Sequence, residues 1–319
     1  MKTISISIPT YNEEDNVLPL YEALREQLAA LEGRYDYEIL FIDNKSTDGT
    51  REKLKLLCER DKRVKAIFNA RNVGQENSQY YATLQTTGDC TISMSADFQD
   101  PPELLPRMVE AWEQGYKIVC MVKTTSRENP FMRFLRTVYY KAIRRISNTE
   151  IIEHFAGFGL YDKSSLDIAR RVDDPEPFTR GMVTELGYGR VILSYTQPRR
   201  RAGQSSNHFS ALYDRAMLSV VTYTRAGLRL ATLFGLLVAG AGFAAALVLL
   251  ILRLAGRNNP APIDPMALLA SGMFFLGGVQ MFFLGLLGEY VIAIHRRSMK
   301  RPLVIEEARL NFEEEAQDV

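Results

Sequence analysis

The feature that most constrains this chain is an alternation, from Thr3 to Val122, of short apolar runs with stretches of helical spacing. Thr3–Ile8 alternates apolar and polar residues as a strand does, and Asp15–Leu31 carries Val17, Leu20, Leu24, Leu28 and Leu31 at helical intervals. Tyr37–Ile42 is almost continuously apolar, the pattern of a parallel strand covered on both faces. Helix is then expected over Thr50–Cys58, Glu76–Thr86 and Pro102–Gln114, and strand over Val64–Phe68, Cys90–Met94 and Lys117–Val122. In the helix that starts at Pro102 the proline falls in the first turn, where its missing N–H costs nothing. This order predicts an α/β fold with a doubly wound, mostly parallel sheet, whose ligands bind at the carboxyl ends of its strands. Beyond Thr124 the pattern is weaker: a basic helix around Phe131–Ser147, a strand near Gly157–Tyr161, helices near Ser164–Arg171 and Thr179–Leu186, and a strand at Val191–Thr196.

The second half carries a different signal. Leu230–Leu252 and Met266–Gly288 are each free of formal charge for about 23 residues, roughly 35 Å of helix, enough to cross a hydrocarbon core of about 30 Å. The connection Arg253–Pro265 is short and holds Pro260, Pro262 and Pro265, so the two spans are expected to form a transmembrane hairpin. Arg215, Arg225 and Arg229 precede it, and Arg296, Arg297, Lys300 and Arg301 follow it, which puts both ends on the cytoplasmic side. Phe209–Leu228 mixes apolar residues with arginine; it would lie in the membrane interface or pack as a polar-faced helix on the preceding domain. The expected organisation is a cytosolic domain over residues 1–208, a juxtamembrane segment over 209–229, spans at 230–252 and 266–288, and a cytosolic tail over 289–319. The N-terminus runs straight into a strand without a signal-peptide core, so the first domain is expected in the cytosol, beneath a plasma (inner) membrane crossed more than once.

Composition removes several alternatives. Lys and Arg number 39 against 38 Asp and Glu, a balance that offers no general attraction to nucleic acid. Cys58, Cys90 and Cys120 fall inside predicted elements without Cys-x-x-Cys spacing, which argues against a disulfide framework or a structural zinc site. No Gly-x-Gly-x-x-Gly follows a strand, so a dinucleotide-dependent dehydrogenase is disfavoured.

Three strand ends carry chemistry: Pro9-Thr10-Tyr11-Asn12-Glu13-Glu14, Asp43-Asn44-Lys45-Ser46-Thr47-Asp48-Gly49, and Ser95-Ala96-Asp97-Phe98-Gln99-Asp100-Pro101-Pro102. A nucleotide-sugar needs acceptors and a flat surface for its nucleoside, and charge neutralisation for its departing diphosphate. Asp43 suits the nucleoside, Tyr11 supplies a ring face or a hydroxyl, and Asp97 suits a divalent ion bridging diphosphate oxygens. Taken alone, the Asp43–Gly49 segment equally suits a turn that caps the next helix. All three in this order are far more specific.

The three motifs resemble those of the family-2 glycosyltransferases with a GT-A fold, most of all the polyprenyl-phosphate branch with dolichol-phosphate mannose synthase and the bactoprenol glucosyltransferases. The resemblance is carried by Pro9, Tyr11, Asn12 and Glu13; Asp43 and Ser46; Arg71, Asn72 and Gly74; Asp97, Gln99, Asp100, Pro101 and Pro102; and Arg200, Gly203 and Ser205. It extends to Leu286-Leu287-Gly288-Glu289-Tyr290 and Arg301-Pro302. It implies that Pro9, Tyr11, Glu13, Asp43, Ala96, Asp97, Lys123 and Arg200 bind the nucleotide-sugar, that Asp97 and Gln99 ligate Mg²⁺ or Mn²⁺, and that Arg199, Arg201 and Ser205 meet the lipid phosphate. Asp97 and Arg200 would carry catalysis. The implied reaction is inverting transfer of a sugar, from a UDP-sugar, to polyprenyl phosphate, giving a lipid-linked sugar for cell-surface polysaccharide.

The chain departs from the family at Ser95 (usually the first metal aspartate), Asn44 (a second aspartate), Gly159 (often arginine) and Ser206 (lysine). These departures leave open a non-catalytic membrane adaptor. A processive polysaccharide synthase would need a Gln-x-x-Arg-Trp motif, which the sole tryptophan, Trp112, does not supply. His154, His208 and His295 lie apart from the motifs, and none is needed as a base, because a phosphate monoester with a second pKa of about 6 is already dianionic at neutral pH. The Arg199–Arg201 run also suits an anionic-lipid patch. Gly235, Ala239, Gly277, Gly278, Gly285 and Gly288 would let helices approach closely, within the hairpin or between copies in a homo-oligomer.

Overall fold

The computed structural model describes residues 1–124, 152, 155–172, 183–184, 186–198, 265–298 and 302–312. Two compact units divide the chain: Met1–Lys141 with Thr149–Asn207 and Lys300–Val319, and Ala142–Asn148 with His208–Met299.

In the first unit the expected order is found: β1 (Lys2–Thr10), α1 (Glu14–Ala29), β2 (Tyr35–Asp43), α2 (Thr50–Arg60), β3 (Val64–Asn69), α3 (Gln75–Gln85) and β4 (Cys90–Ser93). A 3₁₀ turn at Pro102–Leu104 leads into α4 (Leu105–Glu113), then β5 (Ile118–Lys123), β6 (Phe155–Asp162), α5 (Lys163–Val172) and β7 (Arg190–Tyr195). A strand that the sequence pattern did not reveal, β8 (Glu306–Leu310), ends the described chain. Strand order is β7-β5-β6-β4-β1-β2-β3-β8. Among the described strands, β6 and β8 run against the other six, so the sheet is mixed with a parallel majority. From β1 the chain steps to β2 and β3 on one side and then to β4 on the other. The order reverses at β1, and the crevice beyond the carboxyl ends of β1 and β4 is the place where such a sheet takes its ligand.

β1 sits at the centre, although its alternating sequence reads like a strand with one wet face. Ile4, Ile6 and Ile8 are fully buried, each stabilising the fold by roughly 1.5–3 kcal/mol. Ser5 and Ser7 are equally buried, because their hydroxyls are satisfied: Ser5 Oγ donates to Glu38 Oε1 at 2.6 Å, and Ser7 Oγ lies 2.8 Å from Thr83 Oγ1. Glu38 in turn pairs with Lys65 Nζ at 2.6 Å. A buried hydroxyl with a partner costs little, so a polar letter inside a strand does not mean a solvent face.

Gly159, where the family often has arginine, is a packing requirement of this sheet. It lies in β6 opposite Ser93 and Cys120, and a Cβ there would collide with the Val119 carbonyl oxygen.

The second unit contributes one described helix, α6 (Pro265–Ser298), 34 residues long, within which the second expected span falls. Counting only the described side chains, no helix is long and apolar enough to cross a membrane. The first span, Phe209–Leu228 and the basic helix Phe131–Ser147 lie outside the described residues, as does most of Thr179–Leu186.

Candidate active site

At the carboxyl edge of the sheet, register brings the three sequence motifs together. Thr10 pairs with Asp43 across β1 and β2, and Ser7 pairs with Ser93 across β1 and β4. The Met94 N–H then continues the β1–β4 ladder by donating to the Ser7 carbonyl at 3.1 Å.

The β1 and β2 loops lace into each other. Asn12, at φ 55°, presents its N–H to Ser46 Oγ at 2.9 Å, and its Oδ1 accepts from Thr47 N at 2.8 Å. Glu13 N donates to Thr50 Oγ1 at 2.9 Å, Glu14 N to Asp48 Oδ2 at 3.2 Å, and Gly49 N returns a bond to Glu14 Oε2 at 2.6 Å. Asp48 Oδ1 also accepts from Thr50 N at 3.1 Å, a local turn just ahead of α2, whose N-cap residue, Gly49, makes no side-chain capping bond. Pro9 and Glu13 are buried beneath the loops, and Asn16 Nδ2 donates to Glu13 Oε2 at 2.6 Å. The Tyr11 ring is 41% exposed at the rim, open to stack on a flat ligand.

Asp43 has no exposed surface. Arg51 Nε donates to its Oδ2 at 2.6 Å, and the Ser46 N–H lies 3.1 Å from the same oxygen. Arg51 was not among the sequence-derived residues, yet one signal pointed to it. A cation in the first turn of a helix opposes the macrodipole and calls for a partner. Its guanidinium also reaches the Asn69 carbonyl at 2.9 Å and Glu307 at 3.1 Å.

Asn44 joins this loop to the next one. Its Oδ1 accepts from Val73 N at 2.9 Å and from Asn69 Nδ2 at 3.2 Å, and its Nδ2 donates to Asn72 Oδ1 at 2.8 Å. Here a carboxylate could accept but not donate, which gives the departure at residue 44 a structural reason.

The β4 loop is built around two carboxylates. Asp97 Oδ1 accepts from Ser95 Oγ at 2.9 Å and from Gln99 N at 3.1 Å. Asp100 is buried under the loop: Ser95 N and Oγ reach its Oδ2 at 2.9 and 2.8 Å, and Tyr195 OH donates to its Oδ1 at 2.9 Å. Burial raises the Asp100 carboxyl above its ordinary range, against the pull of Ser95, Lys123 and Tyr195. Burial also raises the Tyr195 hydroxyl, with the Asp100 charge adding to it. Tyr195 ends β7 beside Lys123 at the end of β5, and its ring meets Phe158 edge-on at 5.4 Å. Tyr195 falls within the strand expected at Val191–Thr196, and no motif in the sequence marks it. Ala96 is buried in the loop between Ser95 and Asp97.

The two residues expected to ligate a divalent cation, Asp97 and Gln99, share the β4 loop, where the Gln99 N–H donates to Asp97 Oδ1 at 3.1 Å. Among the described residues, no three His, Cys, Asp or Glu side chains cluster as a metal site. Such a pair fits Mg²⁺ or Mn²⁺ as part of a shell that substrate phosphate and water complete, the habit of Mg²⁺. Ser95 Oγ lies between the two carboxylates, 2.9 Å from Asp97 Oδ1 and 2.8 Å from Asp100 Oδ2. Arg199, Arg200, Arg201 and Ser205 lie outside the described residues.

The profile described as "Glycosyl transferase family 2" matches residues 5–168. The chain is 30% identical over 307 residues to the prophage bactoprenol glucosyl transferase homolog of Escherichia coli (strain K12), covering 95% of this chain and 97% of that one. It is 29% identical over 302 residues to the glycosyltransferase YkcC of Bacillus subtilis (strain 168), covering 94% and 92%. A crystal structure of glucosyl-3-phosphoglycerate synthase from Mycobacterium tuberculosis aligns at TM-score 0.45 and 16% identity over 69% of this chain and 77% of that one. With the family profile running from β1 through β6 and covering all three strand-end loops, the chain belongs to glycosyl transferase family 2 and is a glycosyltransferase.

Proposed function

We propose that this glycosyltransferase moves a sugar from a UDP-sugar to polyprenyl phosphate at the cytoplasmic face of a plasma membrane, inverting the anomeric centre. The observation that carries this reading is the side-by-side placement of the three loops at the β1–β4 switch point. Relatives named bactoprenol glucosyl transferases, matched along nearly their whole length, support the lipid acceptor. Two uncharged stretches, 230–252 and 266–288, support a membrane hairpin that keeps the enzyme beside that lipid.

In this reaction an oxygen of the lipid phosphate attacks the anomeric carbon. A carbon–oxygen bond forms on one face as the bond to the nucleoside diphosphate breaks on the other, and the nucleotide leaves. The acceptor is dianionic at neutral pH, with a second pKa of about 6, so no side chain has to remove a proton. Tyr11 offers a face to the base, while Pro9, Glu13 and Asp43 shape the nucleoside end of the crevice. Asp97, with Gln99, would hold Mg²⁺ or Mn²⁺, which supplies positive charge against the departing diphosphate. Lys123 adds a fixed cation on the same side, and Arg199, Arg200, Arg201 and Ser205 are assigned to the phosphates. Catalysis is then electrostatic and positional.

The test is incubation of the purified full chain with a panel of UDP-, GDP- and dTDP-sugars and a short polyprenyl phosphate, read by mass spectrometry. A new lipid mass equal to acceptor plus one sugar, from a UDP-sugar, is the expected product. Lipid left unmodified by every donor, or sugar found on another acceptor only, contradicts the proposal.

A further inference from the structure

We propose that Glu307, on the C-terminal strand β8, is a positioning residue for the nucleotide donor, acting through Arg51 and Lys45 on the Asp43–Gly49 loop. The assignment rests on the proposed UDP-sugar donor and goes beyond it, by adding a residue from the far end of the chain to the donor site.

The geometry begins with register. β8 lies antiparallel on β3, with Ala66 opposite Leu310, Ile67 opposite Arg309 and Phe68 opposite Ala308, but Asn69 is opposite Glu306. Glu307 is the extra residue at this irregularity. A β-bulge leaves one residue unpaired and re-aims its side chain, and such bulges concentrate next to active sites. Here the re-aimed carboxylate meets two cations, one on the loop and one in the first turn of α2: Lys45 Nζ lies 2.8 Å from Glu307 Oε2, and Arg51 Nη1 lies 3.1 Å from the same oxygen.

Arg51 transmits the contact. Its three donor edges go to three different places: Nε to Asp43 Oδ2, Nη1 to Glu307 and Nη2 to the Asn69 carbonyl. The guanidinium is planar and rigid, so fixing two edges sets the direction of the third. Its carbon also lies 5.4 Å from the centre of the Phe68 ring. Lys45 holds the left-handed backbone of the loop at φ 66°, an unfavourable conformation for a lysine that an outside contact helps to maintain. The loop is thus held on one flank by Asn12 and Glu14 and on the other by Glu307.

β8 does not depend on Glu307 for its own attachment. Ala70 N donates to the Ile305 carbonyl at 2.9 Å, Tyr81 OH to Glu306 Oε1 at 2.8 Å, and Asn311 Nδ2 to the Cys58 and Val64 carbonyls at 2.6 and 2.8 Å. Truncating Glu307 should therefore leave the strand docked and change the loop alone.

Binding of UDP to the full chain, measured by calorimetry, tests this in the wild type, Glu307→Ala, Arg51→Ala and the double variant. Glu307→Ala is expected to raise the Kd by about threefold to fivefold, in the range of a partly exposed ion pair, with an unchanged melting temperature. In transfer assays KM for the donor should rise while KM for polyprenyl phosphate stays constant. On the Arg51→Ala background, Glu307→Ala should cost less than it does in the wild type, since only its contact with Lys45 then remains. Wild-type affinity in Glu307→Ala, or an effect that adds fully to that of Arg51→Ala, overturns the inference while leaving the donor reading intact. A wild type that binds no UDP overturns the donor reading itself, and this inference with it.

Discussion

Asn44 donates its side-chain N–H to Asn72 Oδ1 at 2.8 Å, and the same Asn72 oxygen accepts from Gly74 N at 2.9 Å. The orientation of both amides is determined by backbone donors, because Val73 N also points at Asn44 Oδ1. An aspartate at position 44 would set a carboxylate oxygen against the Asn72 oxygen. The residue that departs from the family pattern is the one that joins these two loops in this chain.

Asn44→Asp is therefore expected to loosen the Arg71–Gly74 segment instead of restoring a better site. The fold should lose about 1–3 kcal/mol, the usual cost of leaving a buried polar group with an unsuitable partner. Thermal melts would show a lower midpoint, and amide exchange at Val73 and Gly74 should speed up. A variant as stable as the wild type, with unchanged exchange there, would refute this view of Asn44.

Tyr195 anchors the Asp97 loop from β7, through its bond to the buried Asp100. Tyr195→Phe keeps the ring against Phe158 and removes only the donor. Stability should fall by roughly 1–3 kcal/mol, since one oxygen of a buried carboxyl loses its partner. Transfer activity should fall with it, as the loop carrying Asp97 gains freedom. Normal melting together with normal activity would count against the anchoring role.

Acid sensitivity should be traceable to Asp162. Burial opposes its ionisation, but bonds from Ser164, Trp112 and Lys117 outweigh burial and bring the carboxyl down to about 2. A carboxyl whose folded pKa lies below its ordinary value stabilises the fold fully above about pH 4, and that contribution is lost as pH falls toward about 2. The gap in melting temperature between the wild type and Asp162→Asn should be wide at neutral pH and should narrow through this window. A gap independent of pH would contradict the assignment.

Most of this was legible where the signal is local. The elements from β1 to β5 follow from apolar spacing, and the three ligand-facing loops follow from where those strands stop. What escaped is non-local. The alternation over Thr3–Ile8 does not show that Ser5 and Ser7 are buried, because their partners, Glu38 and Thr83, come from other elements. β8 is short and charged, and only its pairing with β3 makes Glu306–Leu310 a strand. Asp43 suits a nucleoside by its place in the motif, whereas in the fold its carboxylate is buried and bonded to Arg51 and the Ser46 N–H. Gly159 looked like a lost arginine, whereas the Val119 carbonyl leaves no room there for any side chain.

Sugar transfer by Asp97→Asn is the most direct measurement of the central claim. The substitution keeps the size of the side chain and removes the charge that the crevice presents to a cation and a diphosphate. Mass spectrometry of the lipid product should show transfer lost in this variant, at a melting temperature close to that of the wild type. Wild-type product yield from Asp97→Asn would contradict the account, because the β4 loop would then not be where the donor is activated.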